Sequence, residues 1–430
     1  LRISAQVSSS IEILHQVIDR YQPVPIAIRE WARNNRYAGS SDRNAINNIV
    51  NATLRKKNSS ATLMKDDSPR SLCIGMFRLL WEKSVEEISD IFNGEIHSPD
   101  ILTEDELLLI KDVAALEDAP IWVRGDYPEW LDGEFQKTFG EDTLEQAVAL
   151  SSRPSLDIRV NTLKTKRDRV LKELNKFNPE ITKYSVKGIR IKQKEGLDRS
   201  VKVENSKFFI KGYFEVQNEG SQIVSLLSGA KPGMQVLDYC CGAGGKTAVF
   251  STLMENKGQV YSHDISEARV KPIYERLKRL GIRNSQIRIG KDSLEDLTSH
   301  CDIVFIDSPC SGSGTWRRKP DTKWRFNKNT LDRIIETQEN ILKEASEYVA
   351  KDGLLIYVTC SVLNSENSKQ IEKFLLVNKN FNLLSWEDIW SKNIGGELPV
   401  SANKSDKTLL LTPKNHETDG FFIAIMQKTI

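Results

Sequence analysis

Two cysteines in this chain stand where a thiol can react. Residues 307–320 read DSPCSGSGTWRRKP, which places Cys310 directly after a proline and three residues after Asp307, at the end of an apolar run. Residues 353–361 read GLLIYVTCS and end a second apolar run on Cys360. A single buried cysteine behaves as a small hydrophobe by default. Two at the ends of neighbouring parallel strands are a different matter, because those ends share one edge of the sheet, where open α/β folds bind their ligands.

The turn VLDYCCGAGGKT (236–247) lies where a first strand meets a first helix. Gly242, Gly244 and Gly245 let backbone approach a ligand closely. A phosphate loop would fit Gly245, Lys246 and Thr247, but its first glycine is replaced by Cys240. A dinucleotide fingerprint fits Gly242 and Gly244, but its third glycine is Thr247. A plain tight turn is the bland alternative. An S-adenosylmethionine loop demands less of the glycines, since there is no pyrophosphate to cradle. It asks for acids at strand ends, and Asp238, Asp264, Asp292 and Asp307 end or follow four successive strand candidates. Asp264 is placed for the ribose hydroxyls and Asp292 for the adenine amino group.

A thiol beside a methyl donor implies attack on a ring carbon. Carbon 5 of a pyrimidine is a weak nucleophile until a thiolate adds to carbon 6 and makes it enamine-like. A base then removes the carbon-5 proton and the thiol leaves, while an acid near the ring nitrogen stabilises the adduct. Cys240, Cys241, Cys73 and Cys301 are expected to be packing residues. No CxxC pair occurs among the six cysteines, and the five histidines are scattered, so neither a disulfide framework nor a metal site is expected. This cysteine usage fits a reducing cytoplasm. No stretch approaches the roughly 18 apolar residues of a membrane helix, and no signal peptide is read at the N-terminus.

The elements that must position these groups follow from periodicity and charge. The 430 residues imply two or three domains. Residues 1–115 show helical spacing, as in Ile46, Ile49, Val50 and Leu54, with capping-box pairs Ser84/Glu87 and Thr103/Glu106. Residues 1–150 carry a net charge of −9. Residues 116–150 are punctuated like a connector. Residues 151–218 alternate strands and one short helix, and within them 151–213 carry a net +10, the signature of a polyanion-binding surface. Residues 219–430 alternate apolar strands (235–240, 259–264, 285–290, 302–307, 353–360) with helices (246–255, 266–280, 329–350), which predicts a doubly wound parallel sheet. Two late strands, 381–386 and 420–428, predict an antiparallel hairpin at one edge. The whole chain reads as an all-α N-terminal domain, a small α+β subdomain and a Rossmann-like α/β domain.

Together, DSPCSGSGTWRRKP (307–320), YVTCSVLNSEN (357–367), YCCGAGGKT (239–247), RVNTLK (159–164) and HETDGFF (416–422) resemble the RsmB/Sun (Fmu) family of RNA cytosine-5 methyltransferases. The resemblance implies a class I methyltransferase domain behind a NusB-like RNA-binding helical domain. It implies transfer of a methyl group from S-adenosylmethionine to cytosine in RNA, most simply 16S ribosomal RNA, with S-adenosylhomocysteine released. Transfer-RNA enzymes share these motifs, and a non-catalytic assembly factor is the further alternative. By the resemblance the nucleophile is Cys360, Cys310 assists breakdown of the adduct, and Asp307 lies beside both cofactor and base. The loop Cys240, Cys241, Gly242, Ala243, Gly244, Gly245 and Lys246 contacts the cofactor with Asp264 and Asp292. RNA contacts are expected from Arg159, Asn161, Arg317, Arg318 and Lys319, with the basic stretch LRKK (54–57) as a further candidate. The loop departs from the family's usual CAAPGGKT by carrying Cys241, Gly242 and Ala243. A monomer is expected.

Overall fold

Helical periodicity governs the first 150 residues of the computed structural model, which describes residues 1–197 and 201–429. The basic segment therefore contains three residues, 198–200, outside the described part. The chain divides into two units. The first comprises Leu1–Pro154, residues 193–197 and Trp316–Asn327. Its helices Ile3–Ile18, Ser40–Arg55 and Pro69–Leu79 turn Val7, Leu14, Ile46, Ile49, Val50 and Phe77 into one core, all fully buried. Each such side chain contributes on the order of 1.5–3 kcal/mol by leaving water. Both expected capping boxes form. Ser84 Oγ accepts from the Glu87 amide (3.2 Å) while the Glu87 carboxylate accepts from the Ser84 amide (2.9 Å), and Thr103 and Glu106 do the same.

Residues 116–150 are helical rather than a connector: Ile121–Arg124, Asp132–Phe139 and Thr143–Leu150. The prolines and glycines that resemble loop punctuation stand at the ends of these short helices. Tyr127 stacks on Phe135 with ring centroids 4.3 Å apart, which anchors the stretch.

The second unit comprises Ser155–Lys192, Val201–Thr315 and Lys328–Ile430. Its smaller sheet is built from β1 (Leu156–Val160), β2 (Glu180–Ile181), β3 (Gly188–Ile191) and β4 (Phe214–Val216), in the order β2-β3-β1-β4, with every pairing antiparallel. Its larger sheet contains β5 (Gln235–Asp238), β6 (Gln259–Asp264), β7 (Ser285–Ile289), β8 (Cys301–Asp307), β9 (Val349–Thr359), β10 (Phe381–Leu383), β11 (Leu409–Leu411) and β12 (Phe421–Lys428). The order is β10-β12-β9-β8-β5-β6-β7, and β11 pairs with β12. Strands β5 to β9 run parallel, so the expected doubly wound sheet is present. Its switch point lies between β5 and β8, where successive connections depart in opposite directions.

Three local expectations are corrected. The helix read over 266–280 is divided into Glu267–Val270 and Ile273–Leu280 at Pro272, whose ring nitrogen has no proton to donate. The stretch 381–386 is a strand only to Leu383, and a helix, Trp386–Asn393, follows. The late strands do pair antiparallel, but β12 enters between β9 and β10 rather than forming a simple edge hairpin. Strand β11 falls where the sequence pattern reads as loop, because three leucines are too short a run to show a period of two.

Candidate active site at the carboxyl edge of the large sheet

Strands β8 and β9 are parallel neighbours with Asp307 opposite Val358, so the segments leaving them start side by side. Cys310 and Cys360 consequently approach to 3.4 Å between sulfurs. Both are only partly buried as residues, whereas Cys73 and Cys301 have no exposure. The hydrogen bond with Cys360, followed by burial, raises the Cys310 pKa well above that of an ordinary thiol. Cys73 and Cys301 are pushed up to about 12, chiefly by burial, and burial also raises Cys240 and Cys241.

The two thiol segments are tied together at several points. The Gly314 amide donates to the Cys360 carbonyl (2.9 Å), and the Gly420 amide donates to the Gly314 carbonyl (2.8 Å). A Cβ on Gly314 would lie 2.4 Å from the Gly420 oxygen, so this approach requires glycine. It brings the SGSGT and HETDGFF motifs into contact.

A residue missed in the sequence lies beneath both thiols. Glu366, fully buried, accepts from the Ser311 amide (2.8 Å), the Ser311 hydroxyl (2.5 Å), the Ser361 hydroxyl and Gln338 Nε2 (3.1 Å). Burial raises its pKa against these donors. The signal lay in VLNSEN: an acid six residues after Cys360, on the short turn Asn364–Glu366 that leads into the helix Ser368–Val377.

Asp307 is about one-third exposed and pairs with the Lys246 ammonium at 2.5 Å. Lys246 in turn sits 5.7 Å from the Phe421 ring centre. Two residues expected separately, one in the glycine turn and one at a strand end, are therefore a single ion pair. Asp264 is buried and accepts from the Gly242 amide (3.1 Å) and the Ser266 amide (3.0 Å), which fixes the turn against β6. Gly244 holds φ +78°, and a Cβ there would meet Ile273 at 2.3 Å, while nothing lies within 4 Å of a Cβ on Gly245. One side of the turn is thus packed and the other open. At its base the Asp238 carboxylate accepts from the Thr247 hydroxyl (2.6 Å), and its other oxygen is buried with no partner. Burial lifts the Asp238 pKa to about 7. Asp292 is exposed on the 3₁₀ turn Lys291–Leu297 that follows β7. A narrow backbone turn with an open face and acids on successive strand ends fits a nucleoside-bearing methyl donor.

Most residues expected at RNA are placed inside. Arg159 is buried, donates to Gln217 Oε1 (2.7 Å), and its pKa falls to about 10 through burial. Asn161 is buried and donates to the carbonyls of Gly212 (2.9 Å) and Leu280 (2.8 Å). In the helical unit Arg317 is buried, and its carbonyl accepts from Arg55 Nε (2.8 Å). Arg318 is half-buried and Lys319 exposed. Trp316 is buried, and Trp324 donates to the Leu54 carbonyl (2.6 Å), so both tryptophans pack. The LRKK stretch is no open basic face either, since Arg55 is buried and Lys56 pairs with Asp126 at 3.1 Å. The exposed cations of the +10 segment are others, among them Lys166, Lys172, Lys176, Lys207 and Lys211.

The sheet order, the switch-point turn and the thiol rim define a Rossmann-like methyltransferase domain. Residues 226–427 match the family model described as 16S rRNA methyltransferase RsmB/F, and residues 127–197 match that of an RsmF/B-like, ferredoxin-like domain. The chain is 31% identical over 308 residues to the probable ribosomal RNA small subunit methyltransferase B of Synechocystis sp., covering 70% of this chain and 67% of that one. The chain spans about two thirds of the length of such curated relatives. The crystal structure of PH0851 shares the fold at a TM-score of 0.72 and 23% identity, over 99% of this chain and 98% of that one. A methyltransferase homologue from Pyrococcus horikoshii shares it at 0.59 and 25% identity, over 72% and 97%. This chain belongs to the RsmB/F family.

Proposed function

We propose that this protein methylates carbon 5 of a cytosine in RNA, with small-subunit ribosomal RNA as the substrate, through a covalent adduct at Cys360. The observation that carries the reading is the pair of thiols 3.4 Å apart beside the glycine turn and the Lys246–Asp307 pair. S-adenosylmethionine, when bound, supplies the electrophilic methyl group. The turn 240–246 would hold it with Asp264, Asp292 and Asp307. Cys360 as thiolate adds to carbon 6 of the base, which makes carbon 5 nucleophilic. After methyl transfer the carbon-5 proton passes to a base and Cys360 leaves as a thiolate, a breakdown that Cys310, raised in pKa by its neighbour and by burial, assists. Asp307 stands on the same rim, partly exposed and oriented by Lys246, to meet the base. A cytosine in structured RNA must be flipped from its stack to reach the thiols.

The RNA grip is assigned to the exposed lysines of the small α+β unit, in place of Arg159 and Asn161. The acidic helical unit, read as NusB-like, is proposed as a second RNA-binding module. The deciding experiment incubates the protein with unmethylated small-subunit RNA and methyl-labelled S-adenosylmethionine, then maps 5-methylcytosine by bisulfite sequencing. One protected cytosine supports the reading. Label on transfer RNA alone changes the substrate, and no label on any RNA points to an assembly factor.

A further inference from the structure

Ser311 directly follows Cys310 and Ser361 directly follows Cys360. Both serine hydroxyls donate to the same carboxylate oxygen of Glu366, and the Ser311 amide donates to the other oxygen. The network is closed around them. Ser361 Oγ accepts from the Leu363 amide (3.0 Å), the Ser313 hydroxyl lies 3.0 Å from Ser361 Oγ, and Gln338 Nε2 bridges Glu366 to the Pro309 carbonyl (2.9 Å). One buried carboxylate therefore holds the residue after each thiol and, through Gln338, the residue before Cys310.

We propose that Glu366 is a positioning residue that clamps the two thiol segments into one site and, by its charge, keeps Cys310 a thiol so that Cys360 is the sulfur that attacks. Four donors converge on it, all of them neutral hydroxyls or amides, so its charge is solvated but not cancelled. A negative charge beside a thiol disfavours the thiolate. The titratable groups that feel the carboxylate are Cys310 from its loop and Tyr357 from β9, whose hydroxyl donates to the Glu366 carbonyl (2.8 Å). Cys310 is raised in pKa first by its hydrogen bond with Cys360 and by burial, and Tyr357 first by burial, with Glu366 adding to both.

The division of labour between the thiols rests on the proposed methyl transfer, so the test reads the thiols without RNA or cofactor. The full-length protein is exposed briefly to iodoacetamide near pH 8, and alkylation at each cysteine is quantified by peptide mass spectrometry. In the parent protein the label falls on Cys360 in preference to Cys310. Glu366→Gln is expected to raise the Cys310-to-Cys360 ratio several-fold. Glu366→Asp, which keeps the charge, returns the ratio towards that of the parent. An unchanged ratio in a folded Glu366→Gln protein overturns the proposal, as does a Glu366→Asp ratio equal to that of Glu366→Gln. Should Glu366→Gln fail to fold, Ser311→Ala retains the carboxylate and the residue-311 amide bond but loosens the Cys310 segment by removing the hydroxyl bond. It is expected to raise the ratio several-fold, and no change there overturns the clamp. Methylation is assayed separately, so failure of the methyl-transfer reading leaves this result intact.

Discussion

Arg190 in the small sheet and Glu366 at the rim of the large one are both buried, and each gathers several partners. Arg190 meets Asp157 (2.7 Å), Glu219 (3.2 Å) and Glu417 (3.0 Å). Asp157 and Glu219 are further satisfied by the amides of Glu219, Tyr184 and Ser185. There one guanidinium faces three carboxylates, so opposite charge offsets part of the negative charge and backbone amides complete the two buried acids. At Glu366 the charge is held by neutral donors and is felt by the thiol beside it. Similar sets of buried polar groups fix a fold in one place and set the reactivity of a sulfur in the other. Whether a buried charge has an opposite charge among its partners separates the two cases better than its burial does.

Five measurements break or sharpen that contrast, in decreasing order of effect. Cys360→Ala is expected to reduce RNA methylation to background while shifting stability by no more than about 1 kcal/mol. Cys310→Ala, in contrast, is expected to accumulate a covalent RNA complex that survives denaturing gels. Free turnover of either variant would remove its assigned role. Arg190→Ala should show the reverse profile. It leaves two buried carboxylates without their cation, which costs about 3–5 kcal/mol in urea unfolding, and a stability equal to the parent's would show that the cation does not hold the network together.

Asp238 gives an intermediate case. Its carboxyl titrates near pH 7 in the folded protein against 3.8 unfolded. The folded state therefore binds the extra proton between these values, and this group's contribution to stability falls as pH rises from about 4 to 7. The slope is at most about 1.4 kcal/mol per pH unit. Asp238→Asn should remove that component from urea titrations compared at pH 5 and pH 8, and identical slopes in the two proteins would contradict it. The smallest effect is expected at the surface. Changing Lys166, Lys172 and Lys207 together to Gln should flatten the salt dependence of RNA binding by about 2 in log–log slope, at roughly 0.7 for each phosphate of a single strand that is no longer neutralised. Arg159→Gln serves as the contrast, since its parent side chain is internal.

The strands of the large sheet were legible because they are short apolar runs separated by amphipathic helices. The thiol rim was legible because parallel strands put Asp307, Cys310 and Cys360 at one edge. Glu366 was not, since an acid in a polar run such as VLNSEN looks like a solvated turn until the fold closes over it. The same limit misplaced Arg159, Asn161 and Arg317: a cation in a basic segment looks exposed, and only packing shows which cations turn inward.

The approach of Gly314 to Gly420 has a consequence in time. Residue 314 belongs to the thiol rim, and residue 420 opens β12, which is made more than a hundred residues later and threads between β9 and β10. While the chain is being synthesised, both reactive sulfurs emerge before the strand that braces them. The Gly314–Gly420 contact that braces the rim forms only once β12 has been made and inserted between β9 and β10.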